Sequence, residues 1–315
     1  MSRRDRPSPG STDRAPRPSR TSLGKRKREP LGKPDREPLG KRKREPLGKP
    51  DRELEAGSLA HYEDPAYYTS AYAQRIEDVA YYVGLAQRAG GAVLEYGAGN
   101  GRIAIPMARH GIDVVGVDHS APMLADLRAR LADEPLEVRA RVRAVRGDMR
   151  RVRLGRRFAL VVATFNTALH LYTRSDVERF LARVREHLAP RGRFVVDLAI
   201  PAVGDLARPA GRAYHSPRFR HPTSGTVVRN REYFDYDAWR QVLFVSMEFE
   251  PVGDPRGAWT TPLAHRQFFP QEWEMLLHYN GFAVERVDGD FCGGPVTPSS
   301  DVMVWHARRR GAARR

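Results

Sequence analysis

Residues 93–101 read Val-Leu-Glu-Tyr-Gly-Ala-Gly-Asn-Gly, a short apolar run that breaks into three glycines at alternate positions. Gly97, Gly99 and Gly101, with Ala98 between them, permit a tight turn and a close approach of backbone to a ligand. Glu95 stands two residues ahead of the first glycine, and Asp118 follows seventeen residues after the last. A dinucleotide turn needs G-x-G-x-x-G, whose third glycine lets helix and strand pack closely with the helix N-terminus at a pyrophosphate. Here the spacing is G-x-G-x-G, and Arg102 holds the place of that glycine. A carboxylate beside the turn would repel a pyrophosphate but suits an ammonium. The chemistry indicated is recognition of a ribose-bearing ligand with a cationic end.

The elements that must position these residues can be read around them. Val93 and Leu94 suit a buried strand. Arg102 to His110 carries Ile103 and Met107 as a helix would, with Pro106 near its first turn. Asp113 to Asp118 is a second strand ending on an acid. Strand, glycine turn, helix, strand and terminal acid form the first half of a nucleotide-binding α/β sheet. S-adenosylmethionine has both the ribose and the cationic end, and the pattern resembles motif I of the class I S-adenosylmethionine-dependent methyltransferases.

The resemblance runs on in order from about Tyr62 to Ala307. It implies that Asp118 meets the two ribose hydroxyls, and that His119-Ser-Ala-Pro-Met-Leu124 is the turn and helix start beside the adenine, with Met123 in contact. Ser120 suits an N-cap and Pro122 the first turn. Gly147-Asp148-Met149 follows the strand around Ala140 to Val145. By the resemblance Asp148 accepts from the adenine amino group while the backbone of Met149 reaches the ring. Phe158 to Phe165 is the fourth strand, and Phe165 at its end is counted with the cofactor residues. Leu188 to Asp197 resembles the helix end, turn and fifth strand of the family. The implied fold is a Rossmann-like, seven-stranded, mostly parallel sheet with helices on both faces.

Methyl transfer from a sulfonium is an in-line displacement whose donor is already activated, so orientation and exclusion of water are the main contributions asked of the protein. A base is needed only if the acceptor must first lose a proton. Ligands sit outside the carboxyl ends of strands in such sheets, which places Asn166 and His170 at the mouth. His170 is read as a general base, as a group that orients a polar acceptor, or as a histidine capping its own loop. Asn166 is read either as a site residue or as a turn former. It does not open the Asn-Pro-Pro-Tyr type of motif that class I enzymes acting on the exocyclic amines of DNA bases carry. Upstream, Asp64-Pro65 reads as a helix entry, and Ile76, Val79 and Val83 have helical spacing. The resemblance implies that such a helix closes over the cofactor, and among Tyr68, Tyr72 and Arg75 the contact is assigned to Tyr72.

After the fifth strand, Thr226–Tyr236 and Gln241–Glu250 alternate with period two about a turn at 237–240, as a hairpin does. Trp259 to Phe269 offers a third strand, a helix runs from Gln271 to Tyr279 and stops at Asn280-Gly281, and strands at 282–287 and 302–306 complete the sheet. An antiparallel β extension is thus inserted after strand five, at about 205–268. Related small-molecule enzymes place such an extension over the acceptor or at a dimer contact, so a homodimer is compatible with the sequence.

The N-terminus is different material. Four eight-residue units, LGKRKREP, LGKPDREP, LGKRKREP and LGKPDREL, run from Leu23 to Leu54. Residues 1–57 hold no aromatic residue and nine of the 24 prolines, too little apolar surface to offset ordering entropy, so a disordered basic tail is expected there. The net charge of +16 sits mostly at the ends: residues 1–57 carry +9 and residues 308–315, the expected C-terminal tail, +5, leaving +2 for the domain at 58–307. A polyanion-processing face would need its own basic stripe, so nucleic acid is reduced to weak tail contacts. The single cysteine, Cys292, excludes an internal disulfide and any cysteine-rich metal site, and no metal is expected. No membrane helix and no secretory signal is present in the pattern, which points to the cytoplasm. The leading reading is an S-adenosylmethionine-dependent methyltransferase acting on N or O of a small molecule. The alternatives are the same chemistry on RNA or protein recruited by the basic tails, or a cofactor-binding module without catalysis.

Overall fold

A computed structural model describes residues 51–311. Most of the expected disordered tail, residues 1–50, and the terminal residues 312–315 lie outside the described residues. The end of that tail is a correction: Arg52–Leu59 form a helix, α1, whose N-cap Asp51 accepts from the backbone N–H groups of Glu53 and Leu54. In the first three repeats proline holds the eighth position and biases the residue before it away from helix. In the fourth, Leu54 frees Glu53 for helix and packs on Val242, Phe244 and Ala264.

A 3-10 turn at Ala60–Tyr62 leads to α2, Pro65–Ala71, capped by Asp64, which accepts from the N–H of Tyr67 at 2.9 Å. The long helix α3, Glu77–Ala89, ends on Gly90 at φ 65°. Then come β1 (Val93–Tyr96), α4 (Ala104–Arg109), β2 (Val114–Asp118), α5 (Ala121–Ala132, with Ser120 as N-cap), α6 (Leu136–Arg139) and β3 (Val142–Arg146). They are followed by β4 (Phe158–Ala163), α7 (Arg174–His187), β5 (Leu188–Ala199) and the short α8 (Val203–Leu206). The chain then forms β6 (Tyr214–Arg220), β7 (Val227–Asp237), β8 (Val242–Pro251) and β9 (Trp259–Arg266) before α9 (Pro270–Tyr279), β10 (Phe282–Asp288) and β11 (Val302–Arg309).

The main sheet has the order β10-β11-β5-β4-β1-β2-β3, with β11 antiparallel to its neighbours and the pairs from β5 to β3 parallel. One face is covered by α7 and α9 through Val177, Phe180, Leu181, Trp273 and Leu277. The other is covered by α3 and α4 through Tyr82, Val83, Ala86, Ala104 and Met107. The seven-stranded fold with helices on both faces is therefore present. Strand order reverses between β1 and β4, which opens a crevice at their carboxyl ends.

The insertion is a second, four-stranded antiparallel sheet, β6-β7-β8-β9. Its hairpin stands where the alternation put it, but β6 escaped the sequence reading because Pro217 interrupts a polar, weakly alternating run. The C-terminal boundary is also corrected: β11 pairs through Arg308 with β5 and through Arg309 with β10, so these arginines belong to the sheet. Among the described residues, no helix is long and apolar enough to cross a membrane.

Candidate active site

The glycine turn is shaped by two steric demands. Gly97 has φ 68°, and a Cβ there would run into the side chain of Thr167. Gly101 has φ 82°, and its Cβ would strike Leu127 on α5. Gly101 thus lets the turn pack under α5 and does not line the crevice. The crevice itself encloses about 780 Å³ at the carboxyl ends of β1 to β4. Of the residues expected to hold the cofactor, Glu95, Gly97, Ala98, Gly99, Asp118, His119, Met123, Gly147, Asp148, Met149 and Phe165 all line it.

Three carboxyl groups set its electrostatics. Glu95 is buried, accepts from the Thr164 hydroxyl at 3.0 Å through Oε1, and leaves Oε2 without a partner. Burial pushes its carboxyl up to about 8, against the weaker pull of Thr164 and Arg102. Such an oxygen suits a cationic partner. Asp118 accepts from the backbone N–H groups of Gly99 and Ser120, each at 2.8 Å, and is also raised, mainly by burial. Asp148 differs: burial works to raise it, but the hydrogen bonds from Arg150 outweigh that and hold it low. Arg150 bridges Asp148 to Asp176 at 2.8 Å each.

The turn after β4 carries the acceptor-side candidates. Phe165 and Asn166 both have left-handed backbones, φ 50° and 63°, a conformation that costs a side-chain-bearing residue of order 1–2 kcal/mol. Asp197 on β5 offsets this by accepting from the N–H groups of Phe165 and Asn166, while Tyr82 donates to it at 2.6 Å. Asn166 turns away from the crevice and accepts from the Ala199 N–H at 2.7 Å.

His170 does face the crevice. Tyr172 donates its hydroxyl hydrogen to the Ala264 carbonyl, so its oxygen receives Nδ1–H of His170 at 3.3 Å. That tautomer leaves Nε2 to accept from the Tyr62 hydroxyl at 2.8 Å. Burial, helped by His61, pulls the imidazole down to about 4, so it is neutral over the physiological range. The ring of His265 stands edge-on to it at 5.0 Å.

Tyr72 is bonded to His61 Nε2 at 2.9 Å and packs edge-on against Phe165, with its phenol pushed up to about 12 by burial; it is not among the crevice-lining residues. Tyr62 and Tyr68 line the crevice in its place.

Sequence reasoning missed three groups here. Arg102, dismissed as a failed glycine, lines the crevice and is clamped bidentately on buried Asp78 at 2.7 Å. In the sequence Tyr62 marks only where the resemblance begins. Leu54, Glu55, Ser58 and Leu59 of α1 form part of the wall, the first two within the segment expected to be disordered. The one available signal was the leucine that replaces proline in the last repeat. Among the described residues, no group of three or more His, Cys, Asp or Glu is placed to hold a metal ion.

Residues 93–192, from β1 into β5, match a family described as a methyltransferase domain. The chain is 28% identical over 218 residues to the cypemycin N-terminal methyltransferase of a Streptomyces species, covering 68% of this chain and 82% of that one. The structure superposes on the CcbJ methyltransferase from Streptomyces caelestis with a TM-score of 0.67 at 25% identity, over 81% of this chain and 99% of the other. It is also similar to the glycopeptide N-methyltransferase MtfA in complex with S-adenosyl-L-methionine, with a TM-score of 0.51 and 25% identity over 73% of this chain and 87% of that one.

Proposed function

We propose that this chain is a class I S-adenosylmethionine-dependent methyltransferase of the small-molecule type, and that its acceptor atom is an amine nitrogen. The observation that carries the proposal is the state of His170, neutral with its Nε2 engaged by Tyr62. A hydroxyl acceptor must give up a proton, and His170, its Nε2 engaged by Tyr62 and its imidazole held low by burial, is poorly suited to take it. A neutral amine already offers its lone pair, and its nitrogen later releases the surplus proton to water. Tyr62, donating to His170, keeps oxygen lone pairs to receive an amine N–H and hold it in line. Of the similar proteins, one is named a glycopeptide N-methyltransferase and another a cypemycin N-terminal methyltransferase.

When bound, S-adenosylmethionine supplies the methyl group on an activated sulfonium. The crevice residues that would hold it are Glu95, through Oε2, for the ammonium, Asp118 for the ribose hydroxyls, and Asp148 with the backbone of Met149 for the adenine. Phe165 and Tyr68 close the site against water, and Arg102, fixed on Asp78, supplies positive charge near Glu95. His119 and Met123 border the nucleoside. Tyr72 supports Phe165 from behind, and Asn166 supports the turn. The exposed, unpaired Cys292 fits the reducing cytoplasm.

The test is a set of paired acceptors that differ only in an amino or a hydroxyl group, incubated with the protein and S-adenosylmethionine and read by product mass. Methylated amines, with a rate that rises with pH through the amine's own titration, are expected. Methylation confined to the hydroxyl member of each pair would overturn the proposal.

A further inference from the structure

A second cavity lies away from the glycine turn. It encloses about 910 Å³ at the amino ends of β4 and β5, under the last turn of α3 and against the end of β11. Six exposed arginines line it, Arg88, Arg191, Arg193, Arg308, Arg309 and Arg310, with Glu285 as the sole acid. These charges come from four distant stretches of sequence. Apart from this groove, residues 1–57 and the last two arginines, the chain's charges cancel to zero. The groove's +5 thus equals the net charge of residues 58–311.

Its arginines are only partly neutralised. Arg193 and Arg308 share Glu285, at 3.0 and 3.5 Å. Arg310 lies on the imidazole of His278, 3.2 Å from Nε2. Arg88, Arg191 and Arg309 have no acidic partner among the described residues. Guanidinium groups gathered this way repel one another and present planar forks that match phosphate oxygens two at a time. Beneath them the floor is apolar, formed by Leu85, Leu160, Val195 and Ala283. Charge alone would need no such floor. A volume of this size falls in the range of roughly 300–1,000 Å³ common for sites that take small organic ligands.

We propose that this groove is a second ligand site, for a nucleoside di- or triphosphate whose flat body rests on the apolar floor while its phosphates meet the free guanidinium groups. The site lies at the opposite ends of the strands from the methyl-transfer crevice, and it does not depend on what that crevice methylates.

The experiment measures equilibrium binding of ADP to the full chain at physiological salt, with S-adenosylhomocysteine saturating so that the adenine site is already filled. Adenosine, tripolyphosphate and a single-stranded oligonucleotide are run beside it. Saturable ADP binding at one site is expected, about tenfold or more tighter than adenosine or tripolyphosphate. Arg191→Ala with Arg309→Ala should weaken ADP by about tenfold or more and leave S-adenosylhomocysteine affinity unchanged. Arg88→Ala, on a different element, should act in the same direction. Unchanged ADP affinity in these variants would overturn the site, since the basic N-terminal segment would then hold the ligand. So would tripolyphosphate binding as tightly as ADP, absence of saturable binding, or a preference for the oligonucleotide that the variants abolish.

Discussion

At the scale of single residues, Glu95 concentrates the argument. Its unfolded carboxyl titrates near 4.5 and its folded one near 8, because burial outweighs the help from Thr164 and Arg102. Between those values the folded chain keeps a proton that the unfolded chain has lost. Unfolding then releases a proton, and stability falls as pH rises through the window. Glu95→Gln is expected to flatten that slope in thermal or denaturant unfolding between about pH 5 and 8. A saturating ligand with an ammonium end should flatten it in the wild type too, by drawing the folded carboxyl down. An unaltered slope in the glutamine variant would mean that another group carries it. Tyr62 gives a second prediction. Tyr62→Phe leaves His170 Nε2 without its donor, a loss of about 1–3 kcal/mol. Turnover of a methylatable amine should drop roughly 5- to 150-fold while S-adenosylhomocysteine affinity holds. Loss of both together would indicate that the tyrosine serves the cofactor crevice instead.

At the scale of elements, α1 is the piece that changes the picture. It rests on β9 through Gly57, where a Cβ would stand 2.6 Å from Ala264 Cβ and 2.8 Å from Ala264 N. Asp51 ties its start to Arg240 on the insertion's hairpin turn, which Asp237 also holds. Gly57→Ala must push the helix off the strand, at about 1–3 kcal/mol by the usual cost of overpacking. Because α1 walls the crevice, S-adenosylhomocysteine affinity should fall along with the melting temperature. Gly204→Ala, with open space around its Cβ, should change neither. A fall in melting temperature with full affinity retained would remove α1 from the binding site. The glycine turn, Asp118 and the β7–β8 hairpin were legible in the sequence because each depends on local spacing: a φ restriction, a strand end, an alternation. α1 was not, because an eight-residue period ran across its start and masked the leucine that breaks it. Arg102 was not, because its meaning depends on Asp78, which arrives from another helix. The wall contributed by Tyr62 and His170 was half legible: the histidine's place after β4 followed from topology, but its partner lies 108 residues upstream.

At the scale of the whole molecule, the net charge of +16 invites a reading in which basic tails bring the catalytic domain to RNA or protein. That reading predicts loss of activity when the N-terminal repeats are removed. A cut after residue 57 cannot test it, because it also removes Asp51 and Leu54 from beneath the insertion and opens the wall of the crevice. The informative cut is after residue 50. It discards 17 of the chain's 54 lysines and arginines and leaves α1, its cap and its contacts whole. The expected outcome is that residues 51–315 bind S-adenosylhomocysteine and methylate a small amine as the full chain does, whereas residues 60–315 bind more weakly and unfold at lower temperature. Isothermal titration and thermal unfolding of the three proteins separate the cases. If residues 51–315 bind the cofactor normally but no longer turn over, the basic repeats act in acceptor recruitment and the small-molecule reading fails. If both shortened proteins match the full chain, α1 is dispensable and the crevice is closed by α2 alone. Only the expected pattern assigns the cofactor's wall to α1 and leaves the repeats outside the chemistry.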